Sequence, residues 1–119
     1  MLVISQEQME AMSAYTLGQF EERNVARLRA TFPAQTGELS DDALRALIHQ
    51  AIARARSYGV SDENDVECYL DCVVLYGPDF DSDPRTAWAG AVLRNPVLMG
   101  AQKMDQICHY QVFILKGQT

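Results

Sequence analysis

Ser40-Asp41-Asp42-Ala43-Leu44-Arg45-Ala46-Leu47-Ile48-His49-Gln50-Ala51-Ile52-Ala53-Arg54-Ala55-Arg56-Ser57-Tyr58-Gly59 decides the fold. Leu44, Leu47, Ile48, Ala51, Ala55 and Tyr58 recur at the three- and four-residue spacings that put side chains on one face of an α-helix. Ser40 is placed to cap that helix. Asp41 and Asp42 fall in its first turn, where the helix dipole favours anions, and Gly59 stands where a left-handed residue stops it. Leu39 and Leu44 have the spacing of a hydrophobic staple across the start.

Reading towards the C-terminus, only Gly59 and Val60 separate this helix from Ser61, a second N-cap candidate followed by Asp62, Glu63 and Asp65. So short a connection predicts a tight αα-hairpin. The next helix should bury Val66, Tyr69, Leu70 and Val73, with Tyr76 at the margin, and end at Gly77-Pro78. Val73-Val74-Leu75-Tyr76 is β-prone in isolation, but its attachment to a well-capped helix outweighs the local preference. Asp83-Pro84, a cap with proline at the first helical position, opens a short helix carrying Trp88, Val92 and Leu93, and Asn95-Pro96 stops it. A last helix over about 100–115 turns Met104, Ile107 and Cys108 inward. Residues 112–115 are apolar on all sides and predict packing against the domain or against a second copy of the chain.

Towards the N-terminus, Pro33 ends a long first helix, because the residue before proline is pushed out of the helical region. Leu17, Phe20, Asn24, Leu28 and Phe32 line its inner face. Its start is marked by a Ser5/Gln8 capping box and an Ile4/Met9 staple. Arg23 and Arg27 share a helix face and are expected to pair with nearby acids. Residues 34–39 read as a loop and 117–119 as a tail. With no linker or repeat, residues 1–116 are expected to be a single domain. The fold class is all-α: a small bundle of four to five helices with a central αα-hairpin.

Composition narrows the function. The chain has 119 residues, 48% of them hydrophobic, with sixteen acidic against ten basic side chains and a net charge of −6. That sign disfavours nucleic acid and anionic membranes, so the expected partner is a protein or a cation. Three cysteines, an odd number, do not make a disulfide framework, and a reduced cytoplasm is expected. The first residues lack the features of a secretion signal, and no apolar run reaches the length of a membrane span.

The charge is also concentrated. Eight of the nine acids beyond residue 60 lie in residues 62–83, which contain no Lys or Arg. A solvated helix face is the plain explanation; an acidic docking surface is the sharper one. On the second reading Asp62, Glu63, Glu67, Asp71, Asp79 and Asp81 form the partner-binding surface, and Trp88, if it is not simply core, anchors it.

Motifs of chemistry are sparse. Asp79, Asp81 and Asp83 alternate as in the opening of a calcium loop, yet the sixth position is Pro84 and the twelfth Gly90, where an EF-hand needs Gly and Glu. A cation-binding protein using these three carboxylates is therefore the competing class. Cys68 and Cys72 share a helix face but lack the spacing of a zinc site, so core packing is expected and no metal. There is no nucleophile elbow, P-loop or dinucleotide fingerprint, and neither an enzyme nor a cofactor is expected.

Arg54-Ala55, Tyr58-Gly59-Val60, Glu63, Asp65, Tyr69, Gly77, Phe80-Asp81, Asp83-Pro84, Trp88-Ala89, Leu93 and Lys103-Met104 form a pattern over residues 54–104, supported upstream by Phe20, Arg23, Leu28-Arg29 and Phe32-Pro33. This pattern resembles that of small helical bacterial accessory proteins encoded beside toxins or effectors of the type VI secretion apparatus. The resemblance implies a non-enzymatic adaptor or chaperone that binds a secreted effector or its spike component in the producing cell. Alternatively, it implies an immunity protein that blocks a toxin's basic cleft with its acidic surface. It carries no catalytic residues, and Cys68 and Cys72 depart from the pattern.

Overall fold

The computed structural model describes the backbone of residues 6–117 and the side chains of residues 15–110. The chain is all-α, with no strand among the described residues: α1 (Gln6–Thr31), α2 (Pro33–Thr36), α3 (Asp41–Ser57), α4 (Glu63–Tyr76), a 3-10 turn (Pro84–Thr86), α5 (Ala87–Leu93) and α6 (Gly100–Gly117). No described helix is long and apolar enough to cross a membrane. The chain divides into two compact units, Met1–Ile48 and His49–Thr119. The division falls inside α3.

In the first unit, α1 buries Phe20, Val25 and Leu28. Asn24, fully buried on the same face, donates to the Phe20 carbonyl at 2.9 Å and accepts from Arg27 Nε at 2.8 Å. The segment expected to be a loop begins instead with the single helical turn α2. Pro33 sits at its first position, where the absent N–H costs nothing, and Thr36 donates from both its backbone and its hydroxyl to the Phe32 carbonyl. Arg29 then fixes the approach to α3, donating to the carbonyls of Thr36 (2.9 Å) and Leu39 (2.8 Å) and pairing with Asp41 (2.7 Å). Ser40 caps α3 as expected, accepting from Ala43 N–H at 3.1 Å. The Ser5/Gln8 capping box, the Ile4/Met9 staple and the apolar side chains of residues 112–115 lie outside the described residues and side chains.

In the second unit, α3 stops in a Schellman motif. Val60 N–H reaches back to the Ala55 carbonyl and Gly59 N–H to that of Arg56, with Gly59 at φ 82°. The cap of α4 is Asp62, one residue later than expected, because its carboxylate accepts from Asn64 N–H at 2.9 Å; Ser61 stays outside the helix. α4 buries the expected Val66, Tyr69, Leu70 and Val73, together with Cys72. Both α4 and α5 pack on α6, whose Met104 and Ile107 are fully buried. At the start of α6, Gly100 lies so close to the Gly59 carbonyl that a side chain there would overlap it, and Lys103 Nζ donates to the Tyr58 carbonyl at 3.0 Å.

The expectation that the cysteines make no disulfide framework, with Cys68 and Cys72 as core-packing thiols, is corrected at Cys68. Cys68 of α4 and Cys108 of α6 form a disulfide, with their Cα atoms 6.3 Å apart, within the range a disulfide spans. The pairing follows from α4 lying on α6, which brings together residues 40 positions apart in sequence. Cys72 is buried outside any disulfide, and burial foremost, with the nearby Asp71 charge, pushes its thiol up to about 12.

Candidate functional site

The loop that follows α4 is built to be rigid. Gly77, at φ 106°, breaks the helix, and Phe80 drops into the core with its ring edge-on to Tyr69, centroids 4.9 Å apart. Asp81 follows it inside. One carboxylate oxygen accepts from Tyr58 OH at 2.5 Å and the other from Arg54 Nη1 at 3.1 Å, while its carbonyl accepts from Arg94 Nη1 at 2.6 Å. Thr86 Oγ1 donates to the Phe80 carbonyl at 2.6 Å. Gly90 lets α5 approach the Asp81 carbonyl more closely than any residue with a Cβ could. The Tyr69 hydroxyl is buried beneath the loop with no hydrogen-bond partner among the described residues, and burial foremost, then the Asp81 charge, raises its pKa.

This pinned loop sets two aromatic rings against each other. Tyr76, on the last turn of α4, meets Trp88, on the first turn of α5, edge-to-face at 6.0 Å and 88°. Tyr110 of α6 lies on Trp88 at 4.4 Å. Between the ends of α4 and the turn before α5 opens a pocket of about 320 Å³, lined by Leu75, Tyr76, Asp83, Arg85, Thr86 and Trp88. That volume is within the range of sites that enclose a small ligand or a single large side chain.

The rim of the pocket is polar and locally neutral. Asp83 caps the 3-10 turn through Arg85 N–H (2.9 Å) and pairs with the Arg85 guanidinium at 2.7 Å, and these bonds hold its carboxyl below the ordinary range. Burial raises the Tyr76 phenol, so it stays a neutral hydroxyl at physiological pH. The floor offers ring and aliphatic surface, and the rim one exposed ion pair. The half-open pocket can receive an apolar side chain against its rings, with a polar rim beside it.

The sequence-expected site residues go to different places. Trp88 lines the pocket, half-buried. Asp79 and Asp81 come together on Arg54, at 3.0 and 3.1 Å, and Asp81 is only 5% exposed, which corrects its assignment to an accessible binding surface. Asp79, Asp81 and Asp83 are thus each engaged by arginine, and among the described residues no group of three or more His, Cys, Asp or Glu is arranged to hold a metal ion. Asp62 caps α4, and Glu63, Glu67 and Asp71 share one face of that helix at four-residue spacing, which Leu75 continues to the pocket. Leu75, Tyr76, Arg85 and Thr86 were not anticipated. Their signal was the pair of breakers, Gly77-Pro78 and Asp83-Pro84, that turns the end of one helix back on the start of the next. No protein family, curated protein or solved structure matches the chain.

Proposed function

We propose that the chain is a non-enzymatic protein-binding module that seats a large apolar side chain of a partner in the Leu75–Tyr76–Trp88 pocket. The observation that carries this reading is the pocket itself. Its residue types, Trp, Tyr and Arg, are those enriched where binding energy concentrates, and its loop is prepaid in rigidity by the buried Asp81 network. The resemblance to type VI accessory proteins supports a secreted effector or its spike component as the partner, with the chain acting as adaptor or chaperone in the cytoplasm before export. An immunity role is the second reading. It is favoured by the clustering of negative charge where α4 faces α6: burial and the neighbouring charges of Asp62 and Asp105 raise the pKa of Asp65.

Trp88 is the sole tryptophan of the chain, so its emission reports directly on the pocket. Short peptides with a central phenylalanine should shift that emission and compete with one another, whereas the same peptides with alanine at the centre should not. Leu75→Asp, which puts a charge into the apolar wall, should abolish the shift. Equal response to both peptides, or none to either, defeats the pocket as the docking element. Lysine against glutamate flanks around the same phenylalanine separates the two readings, since the immunity role requires the basic peptide to bind more tightly, and more so at low salt.

A further inference from the structure

We propose that the Cys68–Cys108 disulfide is a redox lock on the aromatic wall of this pocket; as a statement about how the site is regulated, it rests on the docking reading. The first half of α6 has anchors of its own: Gly100 against Gly59, Lys103 on the Tyr58 carbonyl, and the buried Met104 and Ile107. Beyond Ile107 the described anchors are two, the bond at Cys108 and the ring of Tyr110 on Trp88. Cys68 sits two turns before Tyr76 on α4, so the bond and the rings close a single circuit from α4 through α6 and α5 back to α4. Opening the bond removes the covalent side of that circuit and leaves the ring contact of the exposed Tyr110 on Trp88 as its described side-chain link to α5.

The chemistry is a two-electron reduction. A thiolate of a small thiol such as glutathione attacks one sulfur and a second equivalent resolves the mixed disulfide. The S–S bond breaks, Cys68 and Cys108 each gain a proton, and the reductant leaves as its own disulfide. Both sulfurs belong to half-buried residues that a small thiol can reach. Cys72, one turn from Cys68, is fully buried and stays a thiol, so it does not compete by internal exchange. The lock therefore has two states, bonded and dithiol, matched to oxidising and reducing compartments.

The test compares the full chain oxidised and after dithiothreitol, reading Trp88 emission, its quenching by acrylamide, and far-UV circular dichroism. Reduction should shift the emission to the red and increase quenching while helix content stays constant, and reoxidation should reverse both. Cys108→Ser should reproduce the reduced spectrum without reductant; Cys72→Ala should leave the oxidised spectrum unchanged. Identical emission and quenching in the two states overturn the proposal, as does loss of helix on reduction, which would make the bond a staple of the whole unit. A phenylalanine peptide that binds both states equally removes the lock and leaves the docking reading standing. Failure of the peptide in both states, with the spectral shift intact, removes the docking reading and leaves the lock on the aromatic wall.

Discussion

Two runs of carboxylates, one on α4 and one in the loop behind it, look alike in sequence and meet opposite fates. In the loop, Asp79, Asp81 and Asp83 are taken up by Arg54, Tyr58 and Arg85 and become part of the framework. On α4, Asp62 is spent on the helix cap, and Asp65 faces the charges of Asp62 and Asp105, which with burial make its ionisation harder. A charge count along the chain can anticipate the pairing of Asp83, whose Arg85 is two residues on, but not those of Asp79 and Asp81, whose Arg54 is 25 and 27 residues away. The lesson is that an acidic run becomes framework where a cation folds onto it.

The sharpest way to break this comparison is Asp81→Ala. It leaves the Tyr58 hydroxyl without its acceptor, takes one of the two carboxylates from Arg54 and opens a space beside Phe80, and should lower unfolding stability by about 2 kcal/mol in a urea titration. The Arg54 side chain is 44% exposed, so the ion pair itself is a minor part of that loss. A change near zero would return Asp81 to the surface class. Next is Asp62→Ala, which deletes the acceptor for Asn64 N–H and should cost about 1 kcal/mol, as cap removal does.

The smallest effect has the opposite sign. Because the pKa of Asp65 is higher in the folded chain than in the unfolded one, its protonated form favours folding; that contribution is complete below the ordinary carboxylate value and disappears as pH rises through the folded value. Asp65→Asn should therefore raise the melting temperature slightly at neutral pH, by less than the Asp62 substitution lowers it. The gain should fade as wild type is acidified and protonates. Asp83, held down by Arg85, runs the other way: its contribution is present above the unfolded carboxylate pKa and lost as pH falls through the folded one. Melting curves across the acidic range distinguish the two slopes.

Local chemistry was legible wherever one segment settles its own structure. The Ser40 cap, the Gly59 stop, the buried face of α4 and the Asp83-Pro84 start all follow from residues within a turn of each other. The β-prone run ending at Tyr76 is helical because it continues a helix already capped. What escaped the sequence depends on helices meeting. The burial of Asp81 needs α3 and α5 on either side of the loop, the cysteine pairing needs α4 on α6, and the pocket needs two proline turns to converge. The shift of the α4 cap from Ser61 to Asp62 is a closer contest, between adjacent residues that are both good caps.

The first turn of α6 also completes an element laid down much earlier. The Tyr58 carbonyl at the end of α3 receives its proton donor from Lys103, 45 residues later, and the bare Gly59 turn is covered by the equally bare Gly100. During synthesis, α3 can coil and stop by itself, but its end stays open to water until nearly the whole chain has emerged. Assembly of this unit thus waits on its last helix. A fragment cut after Met99 should retain helix content while its α3 terminus exchanges amide hydrogens freely, whereas the full chain protects it as part of one cooperative whole.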